Sequence, residues 1–115
     1  MANYQKAIEL QPRFIPAQRD LAWMLATWPE PSVRNATKAV ALAEQANQLS
    51  RDGDPQVLRA LAAAYAEAGR FPEAVLKAKQ AMELAMAQTN VALTNEIQTE
   101  IGLYQTNVPC RFTNN

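Results

Sequence analysis

Residues 54–85 read DPQVLRALAAAYAEAGRFPEAVLKAKQAMELA, and the way this stretch divides decides the fold. Asp54 followed by Pro55 is a helix start. The Asp54 carboxylate is suited to accept backbone N–H groups of the first turn, and Pro55 fills the first helical position, where its missing N–H breaks no bond. Apolar residues then recur at Leu58, Leu61, Ala62 and Tyr65, the spacing of one helical face. Gly69 suits the left-handed residue that closes a helix, and Pro72 suits the first turn of another. The second helix runs to about Gln88, with a stripe of Ala74, Val75, Ala78, Ala81, Met82 and Ala85. Small side chains at Ala62, Ala74 and Ala81 let two antiparallel helices approach toward the close end of the usual range of about 8 to 10 Å. Leu58, Leu61, Tyr65 and Phe71 fill the seam between them.

The same unit recurs. Residues 38–49 lie over residues 73–84 at a constant offset of 35, sharing Ala, Val, Ala, Gln, Ala and Leu. Leu21-Ala22 and Leu25-Ala26 match Leu61-Ala62 and Tyr65-Ala66 at an offset of 40. Ala7-Ile8-Glu9-Leu10 repeats Ala81-Met82-Glu83-Leu84, so residues 3–12 read as the second half of a unit whose first half is missing. The difference between the two offsets falls in residues 27–35, where Pro29 and Pro31 forbid a continuous helix. Trp28 is expected to cover the end of the helix pair there. Alanine dominates the apolar residues, Gly is scarce and strand-forming residues are thinly scattered, which describes an all-α chain.

These residues resemble the tetratricopeptide repeat, a unit of about 34 residues built from two helices. Leu58, Leu61, Ala62 and Tyr65 fill the pattern of its first helix, and Gly69, Phe71, Ala74 and Ala81 follow as in its second. Tyr4, Ala7, Leu10 and Pro12 match the end of one unit, and Leu21, Ala22 and Leu25 begin the next. The similarity covers residues 3 to about 86. Ala43 and Ala78 stand where the second helix usually has a large aromatic, and Met86 stands where a terminal Pro would be. The resemblance implies antiparallel helix pairs stacked as a short right-handed solenoid, in a single domain over residues 1–107. It comprises a half repeat at 3–12, a repeat at 13–50 with its lengthened turn, and a repeat at 54–88. Residues 90–106, with Asn90 as cap and Leu93, Ile97, Ile101 and Tyr104 in one stripe, then read as a capping helix, which a solenoid needs to cover its last exposed face. Residues 108–115 are expected to form a flexible tail. The full pattern looks like the C-terminal portion of a bacterial array.

Several function classes recede. The chain has 115 residues with eleven basic and eleven acidic side chains, so it has no broad charge footprint for nucleic acid or an anionic membrane. His is absent and Cys110 is the lone cysteine, which removes His-based acid/base chemistry, Cys/His metal sites and internal disulfides. There is no Gly-rich phosphate loop and no nucleophile motif. Glu44, Glu67, Glu73, Glu83, Glu96 and Glu100 read as members of solvated helix faces. Asn35-Ala36-Thr37 has the form of a glycosylation sequon, which matters only in a secretory setting. No cofactor, metal or catalysis is expected. The first residues lack a signal-peptide pattern and no apolar run is long enough to span a bilayer. A cytoplasmic location is the default, overridden if the chain is part of a longer exported or membrane-anchored protein.

Binding remains. In tetratricopeptide arrays the first helix of each pair lines a concave groove, and the resemblance carries that role to Pro16, Arg19, Trp23 and Thr27 in one unit and to Gln56, Arg59, Ala63 and Glu67 in the next. Trp and Arg are enriched at interaction hot spots, and Arg19 with Arg59 would suit an acidic segment or a terminal carboxylate. Some family members clamp such a carboxylate with Lys, Asn and Arg, but Trp23 and Ala60 replace the Asn residues here. The expected activity is that of a scaffold for a protein or peptide partner. Two alternatives stand beside it: a homodimer formed through Tyr4, Ala7 and Ile8, whose covering helix is missing, and a piece of a larger enzyme that carries such an array.

Overall fold

Five helices account for most of residues 14–111, the part of the chain that this computed structural model describes. They are α1 (Ile15–Thr27), α2 (Ala36–Ser50), α3 (Pro55–Glu67), α4 (Phe71–Ala87) and α5 (Val91–Gln105), with no strand among the described residues. The half repeat at residues 3–12, with Tyr4, Ala7 and Ile8, lies outside them.

Helix starts follow local chemistry. One Asp54 carboxylate oxygen accepts the N–H groups of Gln56 and Val57, at 2.9 and 3.4 Å. The Asn90 side chain accepts the N–H of Leu93 at 3.1 Å, and both caps were legible in the sequence. Asn35 supplies a third by accepting the Lys38 N–H at 3.1 Å, so this residue of the sequon opens α2. Helices α1, α3 and α4 each carry a proline in the first two positions.

The ends of four helices share a device. Arg51, Gly69, Thr89 and Asn107 all have positive φ, between 55° and 80°. Each turns the chain so that the next N–H reaches back to a carbonyl in the last turn, as Arg70 does to Tyr65 at 2.8 Å and Asn90 to Ala85 at 2.9 Å. Orphan carbonyls are satisfied this way. Only one of the four residues is glycine.

Each helix packs against the next, and α1 also packs on α3. That leaves α3 central, with ten of its 13 residues buried. A helix apolar on nearly every side belongs inside a fold, and its run of alanines makes room for neighbours on three sides. Ala39 and Ala43 on α2, and Ala74, Ala78 and Ala81 on α4, are at most 1% exposed. Ala43 and Ala78, noted in the sequence as small where a large aromatic was expected, are thus sealed between helices. Leu21, Leu58, Leu61, Ile97 and Tyr104 supply the bulk of the core.

Two sequence expectations need correction. Glu67 and Glu100 do not belong to solvated faces, since their side chains are only 16% and 8% exposed and each is held by arginine. Residues 108–111 are not a free tail either. Asn107 reverses the chain, the Val108 N–H bonds back to Leu103 at 2.9 Å, Cys110 enters the core cluster, and Arg111 pairs with Glu67 at 2.8 Å.

Candidate functional site

Helices α1, α3 and α5 contribute to one face with three adjoining hollows. A small one of about 100 Å³ lies among Arg19, Trp23, Gln56 and Arg59. One of about 350 Å³ adjoins it at Arg19 and Gln56 and extends toward Gly53 and Asn90. The most spacious of the three, about 550 Å³, begins at Trp23 and Arg59 and is bounded by Glu96, Leu103, Cys110 and Arg111. The face joins side chains more than 80 positions apart in the sequence.

Arg59 is its centre. The guanidinium lies 4.2 Å from the centroid of the Trp23 ring, a distance at which a cation and an aromatic face attract. It donates to both Glu100 carboxylate oxygens, at 2.6 to 3.1 Å, and pairs with Glu96 at 3.2 Å. Burial opposes the charge on Arg59, but the hydrogen bonds and charge of Glu100, reinforced by Glu96, more than offset it. Burial pushes the Glu100 carboxyl above its ordinary range, and Arg59 pulls it down without reversing the direction. Trp23, Arg59 and Glu100 thus lock α1, α3 and α5 together with two flat groups and a two-oxygen fork.

Glu67 forms a second cluster at the end of α3. Arg34 donates to it at 3.1 Å and Arg111 approaches its other oxygen at 2.8 Å. Arg34 also donates to the carbonyls of Trp28 and Pro29, at 2.8 and 2.9 Å, so the lengthened turn is tied to α3. Cys110 lies nearby with its thiol beside the Tyr104 hydroxyl, which is sealed from solvent. Burial, with the Glu100 charge behind it, pushes the thiol up to about 12.

The residues expected to line the groove divide. Gln56 is exposed, while Arg19, Trp23, Arg59 and Glu67 are half-buried, and the first four line hollows on this face. Thr27 and Ala63 are at most 1% exposed and present no side chain. Thr27 sits in the last turn of α1 and donates to the Trp23 carbonyl at 2.7 Å, and Ala63 lies inside the crowded α3. The acidic partner expected for Arg19 and Arg59 also loses its basis, because Arg19 pairs with Asp20 at 3.0 Å and Arg59 with Glu96 and Glu100.

Arg34, Glu100, Cys110 and Arg111 were not marked as site residues by the sequence. One signal was present for Glu100. Leu93, Ile97, Glu100 and Tyr104 follow at intervals of four, three and four, which places Glu100 on the inner stripe of α5. For Arg34 and Arg111, which act from irregular segments, no periodicity exists to read.

Compared with protein-family models, curated proteins and solved structures, the chain gives no match. Among the described residues no helix is long and apolar enough to cross a membrane, and no three His, Cys, Asp or Glu side chains gather in a way that would hold a metal ion.

Proposed function

We propose that the chain is a short tetratricopeptide-like stack that mediates protein contacts through the face of α1, α3 and α5 and performs no chemistry itself. The pairs would be α1 with α2 and α3 with α4, with α5 as the cap. Three phased copies of the helix pattern support this reading, as does a packing order in which each helix meets its successor and α1 meets α3. The observation that carries it is the meeting of Trp23 and Arg59, one from each unit, at the junction of the adjoining hollows. Residues of these types anchor interfaces when rigidly held.

The test is selection of peptides from a displayed random library on the full chain, followed by calorimetric titration. Arg19→Ala and Gln56→Ala trim the face without adding a charge beside Arg59, and each should weaken selected peptides by about tenfold, the equivalent of about 1.4 kcal/mol. Lys79→Glu, exposed on α4, should leave affinity unchanged. Peptides that bind both face variants as well as the original chain would sink the proposal. Arg59 itself is a poor probe, because replacing it strands Glu100.

A further inference from the structure

The segment that follows α5 does not leave the molecule. It crosses to the end of α3, forming a wall of the most spacious hollow with Cys110 and Arg111. Three observations fix it there. Asn107 takes the left-handed conformation that turns the chain back, Cys110 is 8% exposed among the core residues, and Arg111 reaches Glu67. Between them Pro109, having no N–H to offer a helix, stands outside any helix. A small side chain set among core residues beside the Tyr104 hydroxyl, followed by a cation on a carboxylate, gives the segment two fixed points of attachment.

We propose that residues 108–111 are a built-in ligand of this face, and that the partner it accepts is an extended protein segment with a small apolar side chain followed by Arg or Lys. This rests on the interaction-surface reading above and adds the chemistry of the partner. Once Arg111 departs, Glu67 keeps Arg34 alone among the described residues, and Glu96 shares Arg59 with Glu100. The vacated position therefore favours a cation. The chain's own segment competes with the partner at an effective concentration on the order of millimolar, as expected for a short tether. Weak partners are excluded and only those that improve on the resident segment displace it.

Cys110 is the single cysteine of the chain and reports on docking, because a buried thiol is inert and an exposed one reacts. The experiment follows alkylation of the full chain by iodoacetamide at pH 8 using intact mass. Wild type should react at least about tenfold more slowly than the same chain in denaturant. Arg111→Glu, which sets two carboxylates against each other, and Glu67→Gln should both accelerate it severalfold with the helical circular dichroism unchanged. The peptide acetyl-Asn-Val-Pro-Ala-Arg-amide, added at millimolar concentration, should accelerate wild type, and the same peptide ending in Glu should not. Wild-type reaction as fast as in denaturant, variants no faster than wild type, or no effect of the Arg peptide would each overturn the inference. The library selection reads the face without reference to this segment, so the two proposals fail separately.

Discussion

Glu100 and Glu73 show how little an ion pair's geometry says about its worth until its surroundings are known. Both are gripped by arginine through two oxygens. The Arg70–Glu73 pair, however, lies on the surface within one turn of helix, where solvent screens it and side-chain ordering consumes the gain. Glu73→Ala should leave the urea midpoint where it is. Glu100 is enclosed, and among the described residues removing it leaves the half-buried Arg59 with the Trp23 ring and the mostly exposed Glu96 as its one carboxylate. Glu100→Ala should therefore cost about 2 to 3 kcal/mol, toward or below the lower end of what breaking a buried pair costs. Replacing both partners, as Arg59→Met with Glu100→Leu, should recover most of that loss in the same urea titration, because no stranded charge remains.

At the scale of the element, the helix ends are where sequence and strain meet most directly. Gly69 closes α3 at φ 80° with nothing within 4 Å of a Cβ placed there, so a Gly69→Ala change meets no clash and isolates the backbone penalty, about 1 kcal/mol. Thr89 closes α4 in the same left-handed region at φ 56° and is β-branched, the type least suited to it. Thr89→Gly should stabilise the chain by roughly 1 kcal/mol, the opposite sign from the same physics. Between the ends, the sealed alanines set the distance between helices. Ala78→Leu forces extra volume into the α4 seam and should cost about 1 to 3 kcal/mol, measured by the same denaturation. Of the left-handed closing residues only Gly69 was legible; Arg51, Thr89 and Asn107 were not. No glycine announces them, and the left-handed turn is imposed by helices already packed on either side.

For the molecule as a whole, pH gives a readout of the packing around its buried weak acids, Cys110 and Tyr65 among them, with Tyr104 raised by burial as well. Cys110, with an ordinary value of 9.0, is pushed up to about 12 by burial in the folded chain. Tyr65, ordinarily 10.0, is also pushed up to about 12, by burial first and then by its hydrogen bond to Glu44. The unfolded chain releases these protons first, so the stability they contribute is complete below about pH 9 and is lost as the pH climbs toward 12. Urea midpoints should fall over that window, and Cys110→Ser should remove the part of the fall that begins near pH 9 while leaving the part that begins near 10. The sequence by itself determined that the chain is helical and, at Asp54, Gly69 and Asn90, where particular helices begin and end. Those properties depend on spacing and on bonds within a few residues of each other. The tertiary structure alone decided that Glu100 faces Arg59, that Arg34 ties a proline-bearing turn to α3, and that residues 108–111 return to line the hollow beside Arg59. Each of these depends on groups about 30 or more positions apart in the chain, which lie within hydrogen-bonding reach because the helices between them pack closely through alanine seams.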